Sequence, residues 1–140
     1  LTASYNSQVI DLADCVVIDV QCDFLKQELG NMKSGECDMA ALEATLKTVG
    51  QHIRPECLVL IETTVAPGTT EFVAWPILKK AFANRGITSV PLLAHSYERV
   101  MPGREYVASI RDFWRVCAGC DAAARARQAW RSRRKSSCSQ

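Results

Sequence analysis

Three short runs of almost uninterrupted apolar residues dominate the chain: Cys15-Val-Val-Ile-Asp-Val20, Leu58-Val-Leu-Ile61 and Val90-Pro-Leu-Leu-Ala94. Each has strand length, and none alternates with polar residues. A strand that is apolar on both faces must be covered on both faces, which means a parallel sheet flanked by helices. The intervening stretches supply those helices. Asp38, a predicted N-cap, precedes Met39, Leu42, Leu46, Val49 and Ile53 at helical spacing, with Gly50 and Pro55 marking the exit. Thr69 or Thr70 can cap a second helix carrying Phe72, Val73, Ile77, Leu78 and Phe82, with Gly86 at its end. Pro76 predicts a kink there or a late start near Trp75. Beyond Pro102-Gly103 the pattern predicts a short helix around Tyr106 to Arg111, a fourth strand at Trp114–Ala118 and a last helix over Asp121–Trp130. The expectation is an α/β domain: a doubly wound parallel sheet of about four strands with flanking helices.

Composition narrows the function classes. The 140 residues, 48% apolar and 23% charged, make one globular domain, expected over residues 1–130. No apolar run approaches the roughly 20 residues that span a bilayer. The start of the chain lacks the layout of a signal peptide, and beginning at Leu1 suggests a segment of something longer. Seven scattered cysteines look nothing like a secreted disulfide framework, so a cytoplasmic location is expected. Residues 121–140 carry six Arg or Lys against one Asp, leaving a mildly acidic body. That is not the charge footprint of a nucleic-acid-binding domain. Residues 131–140 are expected to be a solvated, disordered basic tail.

Ligands of such sheets collect at the carboxyl ends of the strands. Three stretches fall there: Asp19–Phe24, Glu62–Thr70 and His95–Gly103. Glu62-Thr-Thr-Val-Ala-Pro-Gly-Thr-Thr70 sets a carboxylate and four hydroxyls before a helix N-terminus, which suits polar or anionic groups. A merely capped, hydroxyl-rich loop is the alternative. In His95-Ser-Tyr-Glu-Arg-Val-Met-Pro-Gly103, Glu98 beside Arg99 could orient a water or a sugar hydroxyl, or form a plain surface pair. Cys117-Ala-Gly-Cys120 has no second Cys pair, and His52 and His95 sit in other elements. Structural thiols are expected there, with a redox pair as the alternative, and no metal site.

Taken together these segments resemble the UDP-glucose/GDP-mannose dehydrogenases. Glu62–Thr70 is similar to their E-S-T-V-P-P-G-T-T segment, and Ser96-Tyr-Glu-Arg-Val-Met-Pro-Gly103 to S-P-E-R-x-x-P-G. Arg115-Val-Cys-Ala-Gly119 is similar to the following R-V-x-x-G strand, and Ala13–Val20 to the preceding A-D-V-V-I-x-x-V strand. The resemblance covers residues 10–120 or so and implies a partial Rossmann-like domain with NAD as cofactor and a nucleotide sugar as partner. It implies that Thr64 helps hold a catalytic water and that Glu98 assists that water or an acid–base step. Glu62, Thr63 and Val20 are implied on the cofactor side.

The departures are equally specific. The seven glycines form no Gly-x-Gly-x-x-Gly, so the pyrophosphate loop of the family is not in this sequence, nor are its catalytic Cys, Lys and Asn. Cys22-Asp23 replaces the usual Thr-Pro after the first strand. The chain alone is therefore expected to bind NAD weakly or not at all and not to turn over. The alternative is a non-enzymatic module of the same fold that self-associates. In either case the Cys15–Val20 strand lies at an open sheet edge, so a homodimer through that edge is expected.

Overall fold

A computed structural model describes residues 3–25, 35–96, 103–104, 106–112 and 116–127. A 3-10 helix (Ser7–Leu12) leads into β1 (Cys15–Ile18), and a hairpin of β2 (Phe24–Leu25) and β3 (Glu36–Cys37) follows. Then come α1 (Ala40–His52), β4 (Leu58–Ile61) and a π-helical turn (Thr70–Ala74) that runs on into α2 (Trp75–Asn84). β5 (Leu92–His95), α3 (Tyr106–Asp112) and β6 (Ala118–Gly119) complete the order, and residues 122–127 are helical.

The main sheet has the order β1-β4-β5-β6. β1, β4 and β5 are parallel, in register from Cys15, Leu58 and Leu92 to Ile18, Ile61 and His95. The expected four-stranded α/β sheet is present, with one correction. The fourth strand starts where Trp114–Ala118 was to end, and it runs antiparallel to β5 through Ala94–Gly119 and His95–Ala118 pairs. A parallel return needs a crossover of a dozen residues or more, and residues 96–117 separate His95 from Ala118, so chain length allowed either direction. The direction is set by the Ala94–Gly119 and His95–Ala118 pairing that the two-residue strand makes on the β5 edge. The third strand also begins later than Val90, because buried Pro91 has no N–H to give the ladder.

Side-chain alternation assigns the two faces. Ile18, Val59, Ile61 and Leu93 pack with Leu42, Leu46 and Val49 of α1 and with Leu78 and Phe82 of α2. Leu58, Leu60 and Ala94 point the other way, against Ala124 of the last helical stretch. This second layer is thin, and Val17 of β1 is 41% exposed.

The helix signals hold in part. The N-cap of α1 is Met39, one residue after the expected Asp38, although Asp38 Oδ1 does accept from the Ala40 N–H at 2.9 Å from just outside the helix. The helix does not start late, since the run is continuous from Thr69. The irregularity at Pro76 takes the form of a π turn, in which the Trp75 N–H donates to the Thr70 carbonyl, five residues back, before α2 proper begins. The threonine cap is not made, since the helical run already includes Thr69 and no cap bond forms from its side chain. At the far end the N–H groups of Gly86 and Ile87 donate to Ala83 and Phe82, which closes α2 as the glycine suggested.

Gly50 does something other than mark an exit. It lies inside α1, where a Cβ would come within 2.6 Å of Ala81 Cβ, so it is the notch that lets α1 and α2 cross closely. The guanidinium of Arg85 ends α1 instead, with Nη1 donating to the Gly50 and Ile53 carbonyls at 2.9 and 2.7 Å. On an exposed helix Gly→Ala gains up to ~1 kcal/mol. Here Gly50→Ala should instead cost about 1–3 kcal/mol through overpacking. Urea melts of the two proteins decide it, and an unchanged or raised midpoint would refute the notch.

Candidate functional site

Parallel pairing sends the loops after β1, β4 and β5 out of the same end of the sheet. The Glu62 N–H donates to the Ile18 carbonyl and the Ser96 N–H to the Ile61 carbonyl, both at 2.9 Å, so pairing persists just past the strands. Beyond that point a side chain takes over. Thr63 Oγ1 accepts from the Val20 N–H and donates to the Val20 carbonyl, each at 2.8 Å. One hydroxyl thus stands in for a neighbouring strand, satisfying both main-chain groups of a residue outside the ladder. Thr63 is 8% exposed, and no purely aliphatic side chain of its shape could do this.

The sequence-predicted residues are distributed as follows. Val20 and Thr63 are brought together by these two bonds, and the Thr63 hydroxyl is committed to placing Val20. Glu62 is half-buried and Thr64 is exposed, on the same loop. Glu98 lies outside the described residues, as do Arg99 and Pro102. The loop then turns, with the Thr69 N–H donating to the Ala66 carbonyl at 3.1 Å and Gly68 in the left-handed region at φ +87°.

Beside this loop lies a cleft of about 390 Å³, lined by residues 65–68, Thr70, Glu71, His95 and the 118–120 segment. His95 is the one titratable ring in it. Its Nδ1 is buried without a hydrogen-bond partner, and burial pushes the pKa below the ordinary histidine value. The imidazole therefore stays neutral near pH 7, able to donate or accept but not to pair an anion. Burial raises the Cys120 thiol above the ordinary value, helped by the carboxylates of Glu71 and Asp121. Of these lining groups motif reading passed over Glu71, and it singled out Cys120 only as a structural thiol and His95 only as the start of a strand-end stretch. The available signal was a single polar residue closing an apolar strand at its carboxyl end.

The two cysteines of the C-x-x-C segment flank β6. Extended backbone separates their Cα atoms by roughly 10 Å, too far for a disulfide. Cys117 Sγ donates instead to Ser96 Oγ at 3.4 Å. Burial pushes the Cys57 thiol up to about 11, which makes it an inert core group. Among the described residues no cluster of three His, Cys, Asp or Glu could hold a metal ion. Among them, too, no helix is long and apolar enough to cross a membrane.

Two measurements test this geometry. Thr63→Val keeps the shape but strands the Val20 main-chain groups, so it should cost about 1–3 kcal/mol and speed amide exchange at Val20, whereas Thr63→Ser keeps both. Equal exchange in the two variants would contradict the hydroxyl bridge. For His95, the unfolded chain takes up a proton near pH 6.5 while the folded chain resists it, so stability should fall as pH drops through that value. In His95→Gln this acid-side loss should shrink; an identical pH profile of the melting temperature would contradict the burial argument.

Comparison with known proteins agrees with the fold. The profile of the UDP-glucose/GDP-mannose dehydrogenase family, NAD binding domain, matches residues 2–129. The UDP-N-acetyl-D-mannosamine dehydrogenase of Pyrococcus horikoshii is 39% identical over 67 residues, 48% of this chain and 16% of that protein. The structure of NDP-N-acetyl-D-galactosaminuronic acid dehydrogenase from Methanosarcina mazei Go1 superposes with a TM-score of 0.72 at 32% identity, covering 88% of this chain and 24% of that one. UDP-D-ManNAc dehydrogenase from Pyrococcus horikoshii gives 0.67 at 25% identity, over 86% and 26%. The chain spans a quarter or less of the length of most of these relatives, and it does so through the sheet whose carboxyl ends carry the Val20–Thr63 bridge. With the profile matching nearly its whole length, the chain belongs to the UDP-glucose/GDP-mannose dehydrogenase family, within the NAD binding domain.

Proposed function

We propose that this chain is the nicotinamide-side part of the NAD-binding domain of a dehydrogenase that oxidises a nucleotide sugar. The observation that carries this reading is the convergence of Val20, Thr63 and the Glu62–Thr64 loop at one end of three parallel strands. The residues present fit one end of NAD. The half-buried Glu62 suits a ribose or a carboxamide, Val20 is held beside it by Thr63 as an apolar wall, and the exposed Thr64 hydroxyl can hold a water. The glycine loop that would cradle the pyrophosphate is not in this sequence, so binding through these residues alone is weak. When bound, NAD supplies a hydride acceptor. The chain's own part is to position that acceptor with Val20 held by Thr63, keep a water at Thr64, and use Glu98 as the proton-accepting group. The scattered spacing of the cysteines, unlike a secreted disulfide framework, supports a reducing cytoplasm as the location.

Titrating the isotope-labelled chain with NAD⁺ and, separately, with UDP-sugars tests this. Amide shifts should gather at Val20 and residues 62–68 with a dissociation constant near the millimolar range, and Thr64→Ala should weaken them several-fold. No NADH should form without the remainder of an enzyme. Shifts scattered over the molecule, or none up to about 10 mM, would overturn the reading.

One observation favours a second copy as partner. β1 ends the sheet order and Val17 is 41% exposed, so a twofold pair joined at this edge would cover both. Sedimentation should then give twice the 15.5 kDa monomer mass, and Val17→Lys should restore the monomer. A monomeric parent chain at high concentration removes this partner.

A further inference from the structure

The amino end of the sheet holds a second group of reactive side chains, on elements that the dehydrogenase reading does not use. Ser7 opens the 3-10 helix, Asp11 lies near its end, and His52 is the last residue of α1. His52 Nε2 is 3.2 Å from Ser7 Oγ, and Nδ1 is 3.4 Å from Asp11 Oδ1. The imidazole is largely covered, with 23% of its side chain exposed against 52% for Asp11. The Asp11 carboxylate stands at ion-pair distance from Nδ1 without hydrogen-bond geometry. Its charge favours the tautomer with the proton on Nδ1, which leaves the Nε2 lone pair facing the serine hydroxyl. Nucleophile and base are thus in hydrogen-bond contact, with a carboxylate 3.4 Å from the far ring nitrogen, the order of groups found around activated serines.

We propose that Ser7 is an acyl-accepting nucleophile, with His52 as its general base and Asp11 as the positioning residue, and that it reacts with small activated esters. Ser7 Oγ bonds to the acyl carbon while its proton passes to His52 Nε2. The carbonyl reforms, the bond to the leaving oxygen breaks, and that oxygen takes the proton from Nε2. Water, deprotonated by the same nitrogen, then cleaves the acyl-serine, releases the carboxylic acid and restores Ser7. Tyr5, Val9 and Leu12, exposed apolar neighbours of Ser7 in sequence, suit an aryl or short-chain ester.

The test uses the full chain with an aryl fluorophosphonate, which marks activated serines and spares thiols, and with p-nitrophenyl acetate as the turnover substrate. One phosphonyl adduct is expected, mapped to Ser7 by peptide mass. His52→Gln should slow labelling by about a hundredfold. Asp11→Asn should slow it several-fold, and Asp11→Glu should restore most of the rate, which a merely structural aspartate would not require. Ser7→Ala removes only a hydroxyl and keeps the test decisive should His52→Gln loosen the turn. Its adduct must vanish, and its p-nitrophenyl acetate hydrolysis must fall to the blank, with an unchanged melting temperature. Labelling spread over other hydroxyls, or Ser7 labelled equally fast in His52→Gln, would overturn the proposal and leave the contact as a clasp between the 3-10 helix and α1.

Discussion

Leu58–Ile61 is buried at all four positions, and nearly every other feature follows from keeping it dry. Its backbone must pair on both sides, which it does with β1 and β5. Its side chains need cover on both faces, which α1 and α2 supply on one side and the 122–127 helix on the other. Parallel pairing then brings three loops to one end without further instruction. A ligand site here is a by-product of satisfying a hydrophobic strand.

The parts of the fold legible in sequence were those where one physical demand acts over many residues. The continuous runs at Cys15 and Leu58 and the Leu42–Leu46–Val49 stripe announce strands and a helix because burial repeats along them. Gly86 and Pro76 were legible because each limits backbone geometry locally. The hairpin of β2 and β3 was not, since two-residue strands have no periodicity and Phe24 and Leu25 are about half exposed. Gly50 was misread because its role depends on Ala81, thirty-one positions away. The direction of β6 was missed for a related reason: it is set by the β5 edge that this two-residue strand meets and not by a pattern in its own residues.

The candidate site divides along the same line. Its loop could be read from hydroxyl-rich chemistry between a strand and a helix, and so could Glu62 and Thr64. The task of Thr63 could not, because a threonine bridging another segment's backbone looks in sequence like one offered to a ligand. Nor could His95, whose neutrality arises from burial between the loop and β6. Residues that contact a ligand directly tend to share a motif; residues that hold those groups in place are defined by three-dimensional neighbours.

Val20 ties the site to the least protected part of the molecule. It follows β1, an edge strand whose Val17 lies on the thinly covered face. Beyond Ile18 this strand end is held by the two Thr63 bonds and by the packing of Val20 and Cys22 against the core. Anything that pairs with the open edge, whether a second copy or another part of a longer chain, would restrain β1 and with it Val20. Ordering that strand before a ligand arrives reduces the entropy lost on binding, so affinity at Val20 should rise when the edge is covered even if the partner touches no ligand atom. The reactive group at Ser7 sits before β1 at the opposite end, clasped to α1 and not to the edge. The same covering should leave it unchanged, so the two ends of the sheet can be perturbed separately.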